Sequence, residues 1–217
     1  MIWMTPAGHP ATFAYRDGTN DWNVINSVTT NDEYALPTGL SGWALDIGAH
    51  LGSVSVALAL DNPGLQVLAV EPLEDNLRFL RANIAANGLT ERITVIEGVA
   101  GTDPLVTFGG RGSSAEHHGF IGNNEWSLVA SGAETMTARC WSLAILIRRA
   151  KGPIAFAKVD CEGCEWSFLD TPLVTRLQRI TGEWHPPGTA ERLRALLERT
   201  HELTFIGDHG FTAVRRA

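Results

Sequence analysis

Cysteine is scarce, with three residues (Cys140, Cys161 and Cys164) in 217. That is too few for a disulfide scaffold and fits a reducing compartment. Long apolar runs are missing as well. The best, Val54 to Leu60, is far short of the roughly 20 residues that cross a bilayer and is interrupted by serine and alanine, which argues against a membrane partner. The opening MIWMTPAGHP has neither the basic start nor the apolar centre of a signal peptide. Positive charge is also in deficit: 17 basic against 24 acidic side chains give a net charge of −7, which opposes non-specific contact with nucleic acid. Repeats and low-complexity tracts are absent. With 44% hydrophobic and 19% charged residues, the composition is that of a globular chain long enough to bury a real core. The expectation is one soluble, cytoplasmic domain covering residues 1–217.

From Trp43 onward, short apolar runs alternate with amphipathic stretches. WALDI (43–47), QVLAVE (66–71) and RITVIE (92–97) read as buried strands. Ser53 to Leu60 reads as a helix. So does Pro72 to Asn87, with Leu73, Leu77, Leu80 and Ile84 on one face and Asn87-Gly88 as its stop. After a less regular stretch the pattern resumes: helix 141–150, strand Ile154–Asp160, helix Glu165–Arg176, strand Arg179–Trp184 and helix Thr189–Thr200. ELTFIG (202–207) and FTAVRR (211–216), joined by Asp208-His209-Gly210, make a closing hairpin. The predicted fold is α/β and Rossmann-like: a mostly parallel sheet with a C-terminal antiparallel strand and helices on both faces. Residues 43–97 and 140–217 form the core, 98–139 a hairpin insertion with a mobile tip, and 1–42 an N-terminal cap or lid.

The sharpest local signal is LDIGAHLGS (45–53), a strand, Asp46, then Gly48 and Gly52 leading into a helix. In open α/β sheets the first βα turn approaches the ligand at the strand C-termini, and glycines let the backbone come close. The glycines lie four apart, so the turn is neither the dinucleotide pattern G-x-G-x-x-G nor a P-loop, which argues against a nicotinamide oxidoreductase. Glu71 ends the next strand, where a carboxylate accepts both hydroxyls of a ribose. Asp46 adds a second acid to the same crevice, which suits a cationic ligand better than a phosphate. A ribose, an α-amino group and a sulfonium occur together in S-adenosylmethionine.

LDIGAHLG (45–52), VEPLEDN (70–76) with RANIAANGL (81–89), KVDCEGCEW (158–166) and RDGTND (16–21) together resemble the FkbM-type family of class I S-adenosylmethionine-dependent methyltransferases. The likeness runs from about residue 12 to 185. It implies S-adenosylmethionine as cofactor, with Asp46, Gly48, Ala49, His50 and Gly52 around its methionine part. Glu71 would hold the ribose, Pro72 shape the adjacent turn, Gly98 and Val99 border the adenine, and Asp160 and Glu162 lie by the sulfonium and acceptor. Relatives often carry Asn in place of His50 and of Gly98, so a side-chain contact to the cofactor is in doubt here.

Methyl transfer is an in-line displacement that needs alignment, exclusion of water and, for a hydroxyl acceptor, a base. Candidates after the fourth and fifth strands are Asp160, Glu162, Glu183 and His185. His185 is the first choice, because an ordinary imidazole is neutral at physiological pH; Glu162 or Glu183 would serve if burial raises its pKa. Glu165 reads more readily as a helix cap. The same four residues could gather a divalent metal, but nothing in the spacing demands one and none is expected. Cys161-x-x-Cys164 invites a redox or a zinc reading, but it lacks the second ligand pair of a structural zinc site and does not follow an early strand as a thioredoxin-type pair does, so its cysteines read as small side chains flanking Glu162 and Gly163. Trp22 and Trp126 lie in the segments assigned to lid and insertion, where each either packs or stacks on a ligand. The expected function is O-methylation of a hydroxyl on a small molecule, sugar or natural-product intermediate, with no nucleic-acid partner. The alternative is a protein that binds the cofactor without methylating a separate acceptor.

Overall fold

Seven strands form the central sheet of the computed structural model, in the order β11-β12-β10-β9-β3-β4-β5. The structure describes residues 1–103, 105–109, 135–186 and 188–217. The sheet strands are β3 (Ser41–Ile47), β4 (Gly64–Glu71), β5 (Ile93–Glu97), β9 (Ile154–Val159), β10 (Arg179–Glu183), β11 (His201–Ile206) and β12 (Gly210–Arg215). β5, β4, β3, β9 and β10 run parallel, whereas β12 is antiparallel to both neighbours, β10 and β11. The helices α2 (Ser53–Asp61), α3 (Glu74–Ala86), α4 (Leu143–Ala150), α5 (Glu165–Leu169) and α6 (Ala190–Leu197) lie between the strands in sequence. The expected Rossmann-like architecture is observed. Both faces are covered: Phe156, Leu58, Leu80 and Ile93 belong to one apolar cluster, Leu45, Val159, Phe168 and Leu193 to the other. This is why the inner strands read as unbroken apolar runs rather than alternating ones.

Chain order reverses between β3 and β9, since β3 continues to β4 on one side and is bordered by β9 on the other. Open α/β sheets place their ligand crevice at such a switch point, beyond the strand C-termini. Asp46 ends one side of it and Asp160 the other.

Two helices differ from the sequence reading. The helix expected over 165–176 stops at Leu169, and a separate 3-10 turn runs from Pro172 to Arg176, capped by the Thr171 hydroxyl. Pro172 has no amide hydrogen to extend the first helix. The helix expected from 141 begins at Leu143, because Thr135–Trp141 is a strand, β8, paired antiparallel with β7 (Leu105–Gly109). Cys140 of β8 is also in parallel register with Val99 of a two-residue strand, β6 (Val99–Ala100). The loop between β7 and β8, with Trp126, His117 and His118, lies outside the described residues.

The N-terminal segment adds a hairpin, β1 (Ile2–Met4) with β2 (Pro10–Thr12), and helix α1 (Asp21–Thr29). It is bonded to the core at several points. Asp61 accepts from Thr5 Oγ1 and the Ala7 amide and pairs with His9, while Asn83 bridges Ala14 and Leu51. Among the described residues, no helix is long and apolar enough to cross a membrane.

Candidate active site

The turn after β3 is built on glycine. Gly48 has φ +78°, and a Cβ there would run into the carbonyl oxygen of Asp160 across the switch point. Gly52, at φ +91°, lies against the end of the Leu80 side chain. The amides of Gly48 and Ala49 donate to the Val70 carbonyl at 3.0 and 2.9 Å, and the His50 amide donates to Glu71 Oε2 at 2.8 Å. The loop amides are therefore spent on β4, and they hold the Glu71 carboxylate in place. Its Oε1 accepts from the Leu73 amide and Asn76 Nδ2, both at 3.0 Å. Burial raises the Glu71 carboxyl pKa, and these bonds pull against that rise.

Asn76 continues outward to the N-terminal segment. Arg16 Nη2 donates to Asn76 Oδ1 and to Asp21 Oδ1, both at 2.9 Å, and Arg16 Nε to Asp21 Oδ2 at 2.8 Å. His50 sits against this clamp, 3.5 Å from Asp21 Oδ1, and burial lowers its pKa to about 4, so it is neutral. RDGTND is thus wired to the Glu71 carboxylate through one asparagine. Pro72 follows Glu71 at the turn into α3. The Gly98 amide donates to the Glu71 carbonyl at 3.0 Å, and a Cβ at Gly98 would meet the Arg139 carbonyl and the Trp141 ring. Val99 is buried beside it.

At the centre lies Lys158, which the sequence reading did not assign a role. Its ammonium is buried between β3 and β9. It donates to the carbonyls of Gly48 (2.8 Å), Ile47 (3.3 Å) and Asp160 (3.4 Å), and it lies 3.9 Å from Asp46 Oδ1 and 3.6 Å from Asp160 Oδ2. Asp46 Oδ2 accepts from Ser55 Oγ at 2.6 Å, whereas Oδ1 is buried without a hydrogen-bond partner among the described residues. Burial raises the Asp46 carboxyl pKa, with Lys158 opposing. Asp160 has a second unassigned partner in Tyr34, whose hydroxyl donates to its Oδ2 at 2.7 Å. Burial alone would raise the Asp160 carboxyl, but Lys158, His185 and Tyr34 hold it below its ordinary value.

The acceptor-side candidates converge on His185. Its Nε2 lies 3.5 Å from Glu162, 3.7 Å from Asp160 and 4.0 Å from Glu183; its Nδ1 is 3.3 Å from Glu165, which also accepts the His185 amide at 2.8 Å. Glu165, read as a cap, is fully buried and is part of this cluster. Burial works against a charged imidazole, yet the carboxylates win and raise His185 to about 9. The expectation of a neutral His185 is therefore corrected: Glu165, Glu162 and Asp160, all from the segment after β9, keep it an imidazolium at neutral pH. The Glu183 carboxyl is raised as well, first by burial and then by Asp160 and Glu33. Ligand-type atoms of Asp160, Glu183 and His185 lie within 4.8 Å of one another, a spacing that the ligands of a single divalent cation also show. Trp22 is 43% exposed on α1 and so is not a core residue.

His185 should leave a mark on stability. Its folded pKa of about 9 exceeds the unfolded 6.5, so its contribution is complete below pH 6.5 and is lost as pH rises through 9. We expect a loss on the order of 2 kcal/mol across that window. Thermal melts from pH 6 to 10 should show a steeper decline for wild type than for His185→Gln, and parallel curves would refute the assignment.

The sheet order, the glycine turn at the switch point and the acidic ends of β3, β4 and β9 define a Rossmann-like methyltransferase of the class I type. The methyltransferase FkbM domain matches residues 46–211, and the chain belongs to that family. Its members' chemistry implies S-adenosylmethionine, and the residues present fit it: Asp46 Oδ1 is a buried acceptor without a donor, suited to an ammonium group. Among curated proteins, the chain is 40% identical over 57 residues to ribosomal RNA small subunit methyltransferase G of Frankia alni (26% of this chain, 22% of that protein). It is 39% identical over 80 residues to that of Frankia casuarinae (37% and 29%). The matches thus span less than a third of those relatives' length. The precorrin-6y C5,15-methyltransferase of Geobacter metallireducens shares the fold, with a TM-score of 0.52, 15% identity and 94% of each chain covered. The expectation of no nucleic-acid partner is overturned by the ribosomal RNA methyltransferases among the relatives. Net charge averages over a whole surface, whereas nucleic acid is met by a local patch, so −7 excludes nothing here.

Proposed function

We propose that the protein transfers a methyl group from S-adenosylmethionine to a hydroxyl oxygen, on a sugar or natural-product intermediate in the first instance. The observation that best supports this is the cluster at the C-terminal ends of β9 and β10, where side-chain atoms of Glu183, Asp160 and His185 lie within 4.8 Å of one another and burial raises the Glu183 carboxyl, which places a carboxylate to take a hydroxyl proton. In this reading Asp46, Gly48, Ala49, His50 and Gly52 hold the methionine part of the cofactor, Glu71 and Pro72 the ribose side, Gly98 and Val99 the adenine side. The bound cofactor supplies an electrophilic methyl group on a sulfonium. Glu183 holds the acceptor hydroxyl and takes its proton. Asp160 and Glu162 line the acceptor face, and His185, already protonated, positions the carboxylates rather than acting as base.

Calorimetric titration with S-adenosylmethionine and S-adenosylhomocysteine comes first. Wild type should bind with a Kd on the order of micromolar, and Glu71→Ala should bind about 100-fold more weakly. Acceptors are then screened by the mass gain of one methyl group, with glycosides and small-subunit ribosomal RNA as separate arms. No binding by folded wild type would sink the cofactor reading. Methylation of a nitrogen or carbon centre would sink the hydroxyl assignment and leave the cofactor in place.

A further inference from the structure

Cys161 and Cys164 flank the acceptor face, and their sulfurs are joined, with Cα atoms 5.4 Å apart. The sequence reading treated them as spacers; the fold makes them a ring around two residues of positive φ. Inside it Glu162 has φ +55° and Gly163 φ +105°, and for glutamate a left-handed backbone costs about 1 kcal/mol or more. The conformation has a visible result, since it carries the Glu162 carboxylate to within 3.5 Å of His185. A second connection runs through Glu165. Its Oε2 accepts the Gly163 amide at 2.9 Å and lies 3.7 Å from Cys161 Sγ, while its Oε1 holds the His185 amide. The bridge, both ends of the loop and the imidazolium therefore form one connected unit. Cys164 is buried, and Cys161 is half-buried and so open to a small thiol.

We propose that Cys161 and Cys164 are a reversible dithiol–disulfide site that sets the shape of the 161–164 loop, and through it the placement of Glu162 and His185 on the acceptor face. Oxidation by a small disulfide such as glutathione disulfide joins the two sulfurs and releases two glutathione thiols with the protons balanced. Reduction by a dithiol returns two cysteine thiols and leaves the reductant as its own disulfide. In the dithiol form the cross-link no longer supports the left-handed turn, and the Gly163 amide opens more often. The proposal does not depend on which acceptor, or which cofactor, the site takes.

The test needs no turnover. Purified protein is equilibrated with glutathione disulfide or with dithiothreitol, denatured, alkylated and weighed. One modified cysteine (Cys140) is expected after oxidation and three after reduction. Amide exchange by nuclear magnetic resonance then compares the two forms. The Gly163 amide should exchange about tenfold faster when reduced, with the His185 ring resonances shifting together with it. Cys161→Ser/Cys164→Ser should respond to neither reagent and should match the reduced form. Three modified cysteines after oxidation would overturn the site. A bridge that forms with Gly163 exchange and His185 resonances unchanged would overturn its control of the acceptor face.

Discussion

Lys158→Met is expected to destabilise the protein by about 3–5 kcal/mol, the range for removing one partner of a buried ion pair. The lysine is 5% exposed and Asp46 is fully buried. Burial alone would favour the neutral amine, yet Asp160, Asp46 and Glu71 keep the ammonium charged, in that order of influence. Methionine fills much the same volume and supplies no charge, so two carboxylates lose a neighbouring positive charge and three backbone carbonyls lose the ammonium that donates to them. Denaturant unfolding measures the loss. Lys158→Met/Asp46→Asn should recover part of it, because the double variant buries one fewer uncompensated charge. A loss below 1 kcal/mol in the single variant would show that the lysine is not the counter-ion of the switch point.

Gly48→Ala should be nearly as damaging and for an unrelated reason. The backbone there has φ +78°, costing alanine about 1 kcal/mol. Beyond that, the new methyl group would collide with the Asp160 carbonyl oxygen and approach its carbon to 3.0 Å. Both atoms are backbone, on a strand end locked by the Ile47 carbonyl and Lys158, so neither can swing aside. The expected total is about 3 kcal/mol or more, with cofactor binding lost. Gly88→Ala is the matched control: its φ is +68° but nothing lies within 4 Å of the added carbon, so only the conformational cost of about 1 kcal/mol should appear. Equal effects at the two positions would mean that the crowding at Gly48 is relieved without cost.

The parts that could be read from sequence are those whose cause is local. Strand and helix alternate because apolar spacing alternates, and Gly48, Glu71 and Asp160 announce themselves by standing at strand ends. What escaped depends on distant partners. Lys158 looks like a strand lysine until Asp46 and the Ile47 carbonyl, 111 residues away, are brought beside it. Tyr34 is 126 residues from the carboxylate it holds. The charge of His185 is set by Glu165, Glu162 and Asp160, carboxylates 20 or more residues away in the chain, so its ordinary pKa was the wrong guide. Pro172 was a local signal for a helix break, and the apolar spacing around it masked that signal.

Neighbouring β3 and β9 have a consequence for how the chain acquires its site. Trp43 pairs with Ile154, so the crevice has no second wall until β9 has left the ribosome. Closing a loop of that length is slow compared with forming the adjacent β3–β4 pair. A nascent chain that ends before β9 holds the residues of β3, β4 and β5, yet its Asp46 has neither Lys158 nor Asp160 opposite it. Ligand capture therefore begins only late in synthesis, and a cofactor added to the folding chain should accelerate no step before β9 docks.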